Sequence, residues 1–244
     1  MTYCLAIKVD DGLVFASDSR THAGVDYASV FSKMHRFDLH NDRYMVLLAA
    51  GSLATTQAVV NLIRRDLENP GSPTSLNSCA YLFDAASYIG GISVKVQDQH
   101  AAAMQRSGFT SEATFILGGQ IQGQPHEIYL IYPQGNYITA SKTTPYLQIG
   151  ETKYGKPILD RMAAQQTSLE DAARCALVSL DSTMRSNISV GPPVEVGIYQ
   201  ADSFAMGHHL NLDTSSQFFG DVQKRWGEGI RNAFGMLPRF DWES

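Results

Sequence analysis

The residue best placed to do chemistry in this 244-residue chain is Thr2, directly behind Met1. A threonine hydroxyl attacks a carbonyl only with a base beside it, and an N-terminal threonine carries that base in its own α-amine. Removal of Met1 would put nucleophile and base on one residue. A free α-amine titrates at roughly 7.7–8.0, close enough to neutrality to shuttle a proton. The segment it opens, Thr2-Tyr3-Cys4-Leu5-Ala6-Ile7-Lys8-Val9, reads as a strand; it has no basic start and apolar run of a signal peptide. The other reactive side chains offer less. Cys4, Cys79 and Cys175 are odd in number and far apart, which fits buried, reduced thiols better than a disulfide framework. Neither Cys nor His has metal-ligand spacing, and the one close pair, His208-His209, points to opposite faces of a strand.

The elements that must position Thr2 can be read from period and turn chemistry. Residues 3–9 and 13–18 predict a hairpin around Asp10-Asp11-Gly12, and 33–39 with 44–50 a second pair around His40-Asn41-Asp42. Met45-Val46-Leu47-Leu48-Ala49-Ala50 is apolar throughout, as in a strand covered on both faces. A helix follows from Ser52 to about Glu68, with Val59, Leu62, Ile63 and Leu67 helically spaced and Asn69-Pro70-Gly71 as its stop. A second runs from Leu76 to the high nineties, weakened by Gly90-Gly91. Strands return at 113–117, 127–132, 136–140 and 146–149, helices at about 151–165 and 169–185, the latter after a Ser168 cap, and strands at 194–200 and 206–211.

Two sheets packed face to face with a helix pair outside each cover every apolar face in this order of elements. The expected fold is therefore α+β, a four-layer α-β-β-α sandwich. Residues 1–215 form its core. Residues 216–244 add a C-terminal helical extension to the same domain, whose stripe of Phe219, Trp226, Ile230 and Phe234 fits docking on the core and docking on a neighbouring subunit equally well.

Composition excludes some functions. With 44% hydrophobic and 18% charged residues the chain is ordinary globular material, and a net charge of -5 argues against nucleic acid as main partner. No apolar run reaches the roughly 20 residues of a membrane span. The expectation is a cytoplasmic protein without metal or organic cofactor, and without nucleic-acid or membrane partners. No glycine-rich turn leads into Gly-Lys-Ser/Thr, so nucleotide-driven work would come from another chain.

Thr2, the turn at Asp11-Gly12, Phe15-Ala16-Ser17-Asp18-Ser19-Arg20, Lys33 and Ala49-Ala50-Gly51, in this order, resemble the β-type proteasome subunits and their bacterial relatives, which are N-terminal-nucleophile hydrolases. The opening Met-Thr-Tyr-Cys and the length are most similar to the Anbu family of bacterial proteasome-related peptidases. The resemblance covers nearly the whole core and is strongest before residue 55. It implies roles that the chemistry accommodates. Lys33 would place a positive charge near Thr2, favouring the neutral amine and steadying the alkoxide. Asp18 would pair with Lys33, a costly arrangement if buried and so suggestive of a role beyond stability. Gly51 would offer its N–H to the oxyanion. Thr21 and Ala49 would shape a pocket beside Thr2. Taken singly, Asp18 and Arg20 read as a surface ion pair, Lys33 as a solvated lysine and Gly51 as a helix-start glycine.

Two later stretches depart from the family pattern. Ile149-Gly150-Glu151 falls where Gly-Ser-Gly is usual, and Arg185-Ser186-Asn187-Ile188-Ser189 where Arg-Asp-x-x-Ser is usual. Ser189 matches, whereas Glu151 replaces a serine and Ser186 an aspartate. These positions help hold the threonine amine in the family, so Ser186 and Ser189 join the candidate site. A serine bonds an amine with less charge stabilisation than an aspartate.

The leading reading is a threonine hydrolase of peptide or amide bonds in unfolded segments, within a ring or helical stack of identical subunits, as the resemblance implies. An inactive assembly subunit that keeps Met1, and a small-amide hydrolase of the same mechanistic kind, are the alternatives.

Overall fold

Tyr3–Val9 (β1) alternates in what its side chains meet: Tyr3, Leu5, Ile7 and Val9 pack in one apolar cluster, Cys4 and Ala6 in another. A pleated strand sends successive side chains to opposite faces, so an apolar strand of this kind needs cover on both. The computed structural model describes residues 1–22, 28–39, 42–69 and 71–243 and supplies that cover. After β1 come β2 (Gly12–Asp18), a ribbon of β3 (Arg20–His22) and β4 (Ala28–Val30), then β5 (Met34–Leu39) and β6 (Arg43–Gly51). Helices α1 (Leu53–Glu68) and α2 (Leu82–Arg106) precede β7 (Ala113–Ile121), β8 (Glu127–Ile131), β9 (Tyr137–Thr139) and β10 (Tyr146–Gly150). The chain continues with α3 (Lys156–Met162), α4 (Leu169–Ser186), β11 (Val194–Gln200), β12 (Met206–Leu212) and α5 (Gln217–Gly235).

Two five-stranded antiparallel sheets result, ordered β10-β1-β2-β11-β12 and β5-β6-β7-β8-β9. Cys4, Phe15, Val46, Leu48, Ile116 and Tyr199 fill the space between them. Leu5, Val14 and Val196 instead face α4, and Leu47, Phe115 and Leu117 face α1 and α2. Three apolar layers separated by two sheets make the fold the expected α-β-β-α sandwich. Cys4, Cys79 and Cys175 are all buried within it and unpaired. Among the described residues, no helix is long and apolar enough to cross a membrane.

Several boundaries differ from the sequence-based expectation for local reasons. The second helix begins at Leu82, not Leu76, because the Arg43 guanidinium takes the carbonyls of Leu76 and Cys79 and a Ser75–Ser78 turn holds the preceding segment. Tyr81 is extended there, and its N–H donates to the Asp84 carboxylate. The helix then runs on to Arg106 through Ala101-Ala102-Ala103, strong helix formers. The helix expected at 151–165 shrinks to seven residues, since Glu151 is bonded back to the chain start and Pro157, which has no N–H to donate, suits only a helix's first turn. The β3–β4 ribbon was not anticipated; three-residue strands carry too little alternation to be read. Of the expected turn and stop, His40, Asn41 and Pro70 lie outside the described residues.

The extension divides its apolar stripe. Ser216 caps α5, Phe219 is buried against the core and Val222 packs there too, while Ile230 and Phe234 stand exposed.

Gly90, in the middle of α2, is explained by close packing. A Cβ there would lie 2.1 Å from the Gly135 carbonyl oxygen. Helix propensity alone would favour Gly90→Ala by about 1 kcal/mol. The clash should reverse the sign and lower stability by about 1–3 kcal/mol. Thermal unfolding checks this, and a raised Tm would show that the α2–Gly135 contact is not tight.

Candidate active site

β1 starts at Tyr3, so Thr2 sits at the strand's mouth, and its peptide link to Tyr3 is held at both ends. The Tyr3 N–H donates to Asp18 Oδ1 at 2.9 Å, and the Thr2 carbonyl accepts from the Glu151 N–H at 2.7 Å. Asp18 is the last residue of β2, adjacent to β1 in the sheet, and is fully buried. Lys33 immediately precedes β5 in the other sheet, and its carbonyl accepts from the Ala49 N–H at 3.0 Å. Its ammonium donates to Asp18 Oδ1 and to the Arg20 carbonyl, both at 2.7 Å. The Gly191 N–H donates to Asp18 Oδ2 at 3.2 Å. The ion pair thus bridges the two sheets, with side chains 8% and 0% exposed.

Such a pair costs desolvation energy that only good geometry and extra hydrogen bonds offset. Burial pushes the Asp18 carboxyl above its ordinary range, opposed by the Lys33 ammonium and the Tyr3 and Gly191 N–H donors. The amine of Met1 lies in the same field. Burial and then Lys33 lower it from the ordinary 8.0, against the smaller pull of Asp18 and Glu151. Burial, followed by the Arg64 cation, brings the nearby His35 imidazole down to about 4 despite Glu195. His35 is therefore uncharged at neutral pH, and Lys33 is the cation of the pocket wall.

Thr2, Thr21, Lys33, Ala49 and Gly51 line one pocket of about 80 Å³. Gly51 ends β6 with φ +111°, a conformation L side chains rarely adopt, and a Cβ there would sit 2.4 Å from the Glu112 carbonyl oxygen. The chain can therefore turn from strand to the Ser52 cap of α1 only with glycine at this place. Phe31 and His35, which the sequence reading did not single out, also line the pocket. The small Thr21 and Ala49 side chains do not make it roomy.

The remaining candidates separate. Ser189 is half-buried in the turn after α4, where its N–H donates to Asn187 Oδ1 at 3.0 Å, two residues before the Gly191 that holds Asp18. Ser186 ends α4, exposed, in a different cavity of about 800 Å³ with Arg20, Asp181 and Arg185. The structure does not bring it to the Thr2 pocket. A third cavity, of about 830 Å³, lies between α3, α4 and α5 beside Trp226 and contains none of the site residues. His209 faces the Glu195 carboxylate at 3.2 Å. Among the described residues no group of three or more His, Cys, Asp or Glu side chains can hold a metal.

Comparison with known proteins places the chain in a family. A family model described as "Proteasome subunit" matches residues 2–199. Proteasome subunit beta type-9 of Homo sapiens is 31% identical over 132 residues, 52% of this chain and 58% of that protein. The Rattus norvegicus protein of the same name is 31% identical over 123 residues, 50% and 52% of the two chains. The chain thus spans little more than half the length of these relatives. Solved structures match throughout. Anbu (ancestral beta-subunit) from Yersinia bercovieri has 42% identity and TM-score 0.92, covering 100% of both chains. The helical assembly of the Anbu complex from Pseudomonas aeruginosa has 39% identity and TM-score 0.92, covering 99% of both. Anbu from Hyphomicrobium sp. strain MC1 has 40% identity and TM-score 0.88, covering 98% of this chain and 100% of that one.

Proposed function

The chain belongs to the proteasome subunit family, among its Anbu members, and from that premise we propose that it is a threonine hydrolase of peptide bonds whose nucleophile is Thr2 after loss of Met1. The observation that carries this reading is the buried Lys33–Asp18 pair fastened to the Thr2–Tyr3 peptide. A pair so expensive to bury has a use at this place that stability alone does not supply. Thr2 Oγ attacks the substrate carbonyl and the α-amine takes its proton. The Lys33 ammonium stabilises the developing alkoxide, Asp18 keeps Lys33 aimed, and the Gly51 N–H receives the oxyanion. The proton passes to the leaving amine, an ester remains on Thr2, and water releases it. Ser189 acts through the turn it shares with Asn187 and Gly191. The narrow pocket favours a small side chain, with Thr21 and Ala49 in its wall.

The working form is a homo-oligomer. The Pseudomonas aeruginosa relative forms a helical assembly. In this chain Ile230, Phe234, Met236, Leu237, Phe240 and Trp242 are at least half exposed near the C-terminal end, apolar side chains that contact with a neighbouring subunit would cover.

Intact mass before and after an N-terminal-threonine-directed epoxyketone tests the function. The expected product lacks Met1 and gains one inhibitor mass on the Thr2 peptide. A Met1-retaining, unlabelled protein would support an assembly subunit instead. The pH dependence is a second readout. The free amine is the reactive form of the base, so labelling should rise with pH as the Thr2 amine loses its proton. Protonation of Asp18 at low pH acts in the same direction. Labelling that does not change with pH would contradict the amine's assigned role as base.

A further inference from the structure

Arg20 opens β3, and its backbone and side chain serve different places. Its carbonyl accepts from the Lys33 ammonium at 2.7 Å, and its N–H donates to the Gly191 carbonyl at 3.3 Å. Its guanidinium lies in the wall of the cavity of about 800 Å³ formed by the end of α4, the turn that follows it and the start of α5. There it packs on Gly191, where a Cβ would come within 2.3 Å of Arg20 Cζ, and Nη1 donates to the Ile188 carbonyl at 2.9 Å. That carbonyl is the guanidinium's one hydrogen-bond partner among the described residues, and no carboxylate among them lies within ion-pair distance. The cavity's other charged groups are engaged. Arg185 Nε donates to Asp181 Oδ2 at 2.8 Å, and Asp181 Oδ1 accepts from Gln223 Nε2 at 2.6 Å. Asp213, exposed, accepts the N–H and the hydroxyl of Ser215 at 2.8 and 2.6 Å. At position 186, where an aspartate is usual, the wall carries an exposed serine and so lacks a further acid.

A guanidinium in a cavity wall, with N–H groups to spare and no counter-charge, is matched best by a planar carboxylate, which it can hold through two parallel hydrogen bonds. The cavity is in the size range that encloses a small ligand. Met184, Ile188 and Pro192 give it apolar wall, and Ser186 and Thr214 give it hydroxyls. A short peptide ending in a carboxylate meets all three: an apolar body, amides for the hydroxyls and an anion for the arginine. We propose that this cavity binds a peptide by its C-terminal carboxylate, with Arg20 as the anchoring cation. The site is separate from the Thr2 pocket, with which it shares no lining residue. Hydrolysis at Thr2 releases peptide ends of this kind, and that choice of source alone rests on the threonine-hydrolase reading. Arg20 joins the two places through its backbone, since its carbonyl holds Lys33 and the Gly191 beneath its side chain donates to Asp18 at 3.2 Å.

The test titrates the full chain carrying Thr2→Ala, so that nothing is cleaved, with acetyl-Ala-Leu-Phe bearing a free carboxylate and with the same peptide as its C-terminal amide. Isothermal calorimetry reads both. The acid should bind at least about tenfold more tightly than the amide. Arg20→Gln, added to the same chain, should remove that preference. Ser186→Asp places a carboxylate at an exposed position of the wall and should weaken the acid about tenfold while leaving the amide unchanged. It decides the matter by itself should Arg20→Gln fail to fold. Equal affinities for acid and amide, or a preference that survives both substitutions, would overturn the proposal. So would an acid peptide that does not bind at all, the result expected if a neighbouring subunit fills the cavity. Failure of wild-type protein to take the epoxyketone would remove the threonine-hydrolase reading and leave the binding result as it stands.

Discussion

Thr2→Ala should abolish peptide hydrolysis and epoxyketone labelling, a loss of at least about 10³-fold, and leave the fold unchanged. The two effects separate because of how Thr2 is held. Its structural contacts are the carbonyl that accepts from Glu151 and the following N–H bonded to Asp18, and alanine keeps both. Its side chain lies at the half-exposed mouth of the pocket, so removing it leaves no buried cavity. Thermal unfolding and oligomeric state should match wild type. Thr2→Ser keeps a hydroxyl beside the amine and should retain labelling. Turnover of Thr2→Ala within tenfold of wild type would rule out Thr2 as nucleophile.

Lys33→Met should have the largest combined effect. It removes the cation from a site where Asp18 has no solvent exposure, leaving that carboxylate only the Tyr3 and Gly191 N–H groups. Breaking a buried pair by deleting one partner costs about 3–5 kcal/mol. For a chain of this size that lowers the Tm by roughly 6–20 °C. The pH dependence has a definite sign. Burial already raises Asp18, and Lys33 is the main force holding it back. Without Lys33 its folded-state pKa rises further above the unfolded one, so stability falls as pH rises through the folded value. The variant should be least stable near neutrality and recover as the pH is lowered. Lys33→Met/Asp18→Asn removes the stranded charge while an amide oxygen still accepts from Tyr3, and should regain part of the lost stability. Labelling should stay at background in both, because the cation beside Thr2 is gone. Recovery of labelling in the double variant would reduce the pair to a structural role.

The fold was largely legible because its determinants are local. Alternation in β1 sends Leu5 and Ile7 to one layer and Cys4 and Ala6 to another, and a period of two can be read from a single strand. Ser52, Ser168 and Ser216 cap the following helices through their side chains. Errors arose where a distant group intervened. Arg43 captures the carbonyls of Leu76 and Cys79 and delays α2, and the Gly135 turn against α2 makes Gly90 fit. Neither is visible in a window of neighbouring residues.

The sequence by itself determined most of the strands and helices, the α-β-β-α layering and the place of Thr2 ahead of a core strand. The order of Thr2, Asp18, Lys33 and Gly51 along the chain was also enough to point to the proteasome family, to which the chain belongs. Only the tertiary structure decided which polar residues reach Thr2. Pairing of β1 with β10 brings Glu151 to it, while the end of α4 turns Ser186 toward another cavity. Phe31 and His35 join the wall of its pocket of about 80 Å³. Side-chain polarity repeats with the period of its own element and so is written locally. Contact between residues far apart in the chain depends on strand register and layer packing, which no single segment encodes.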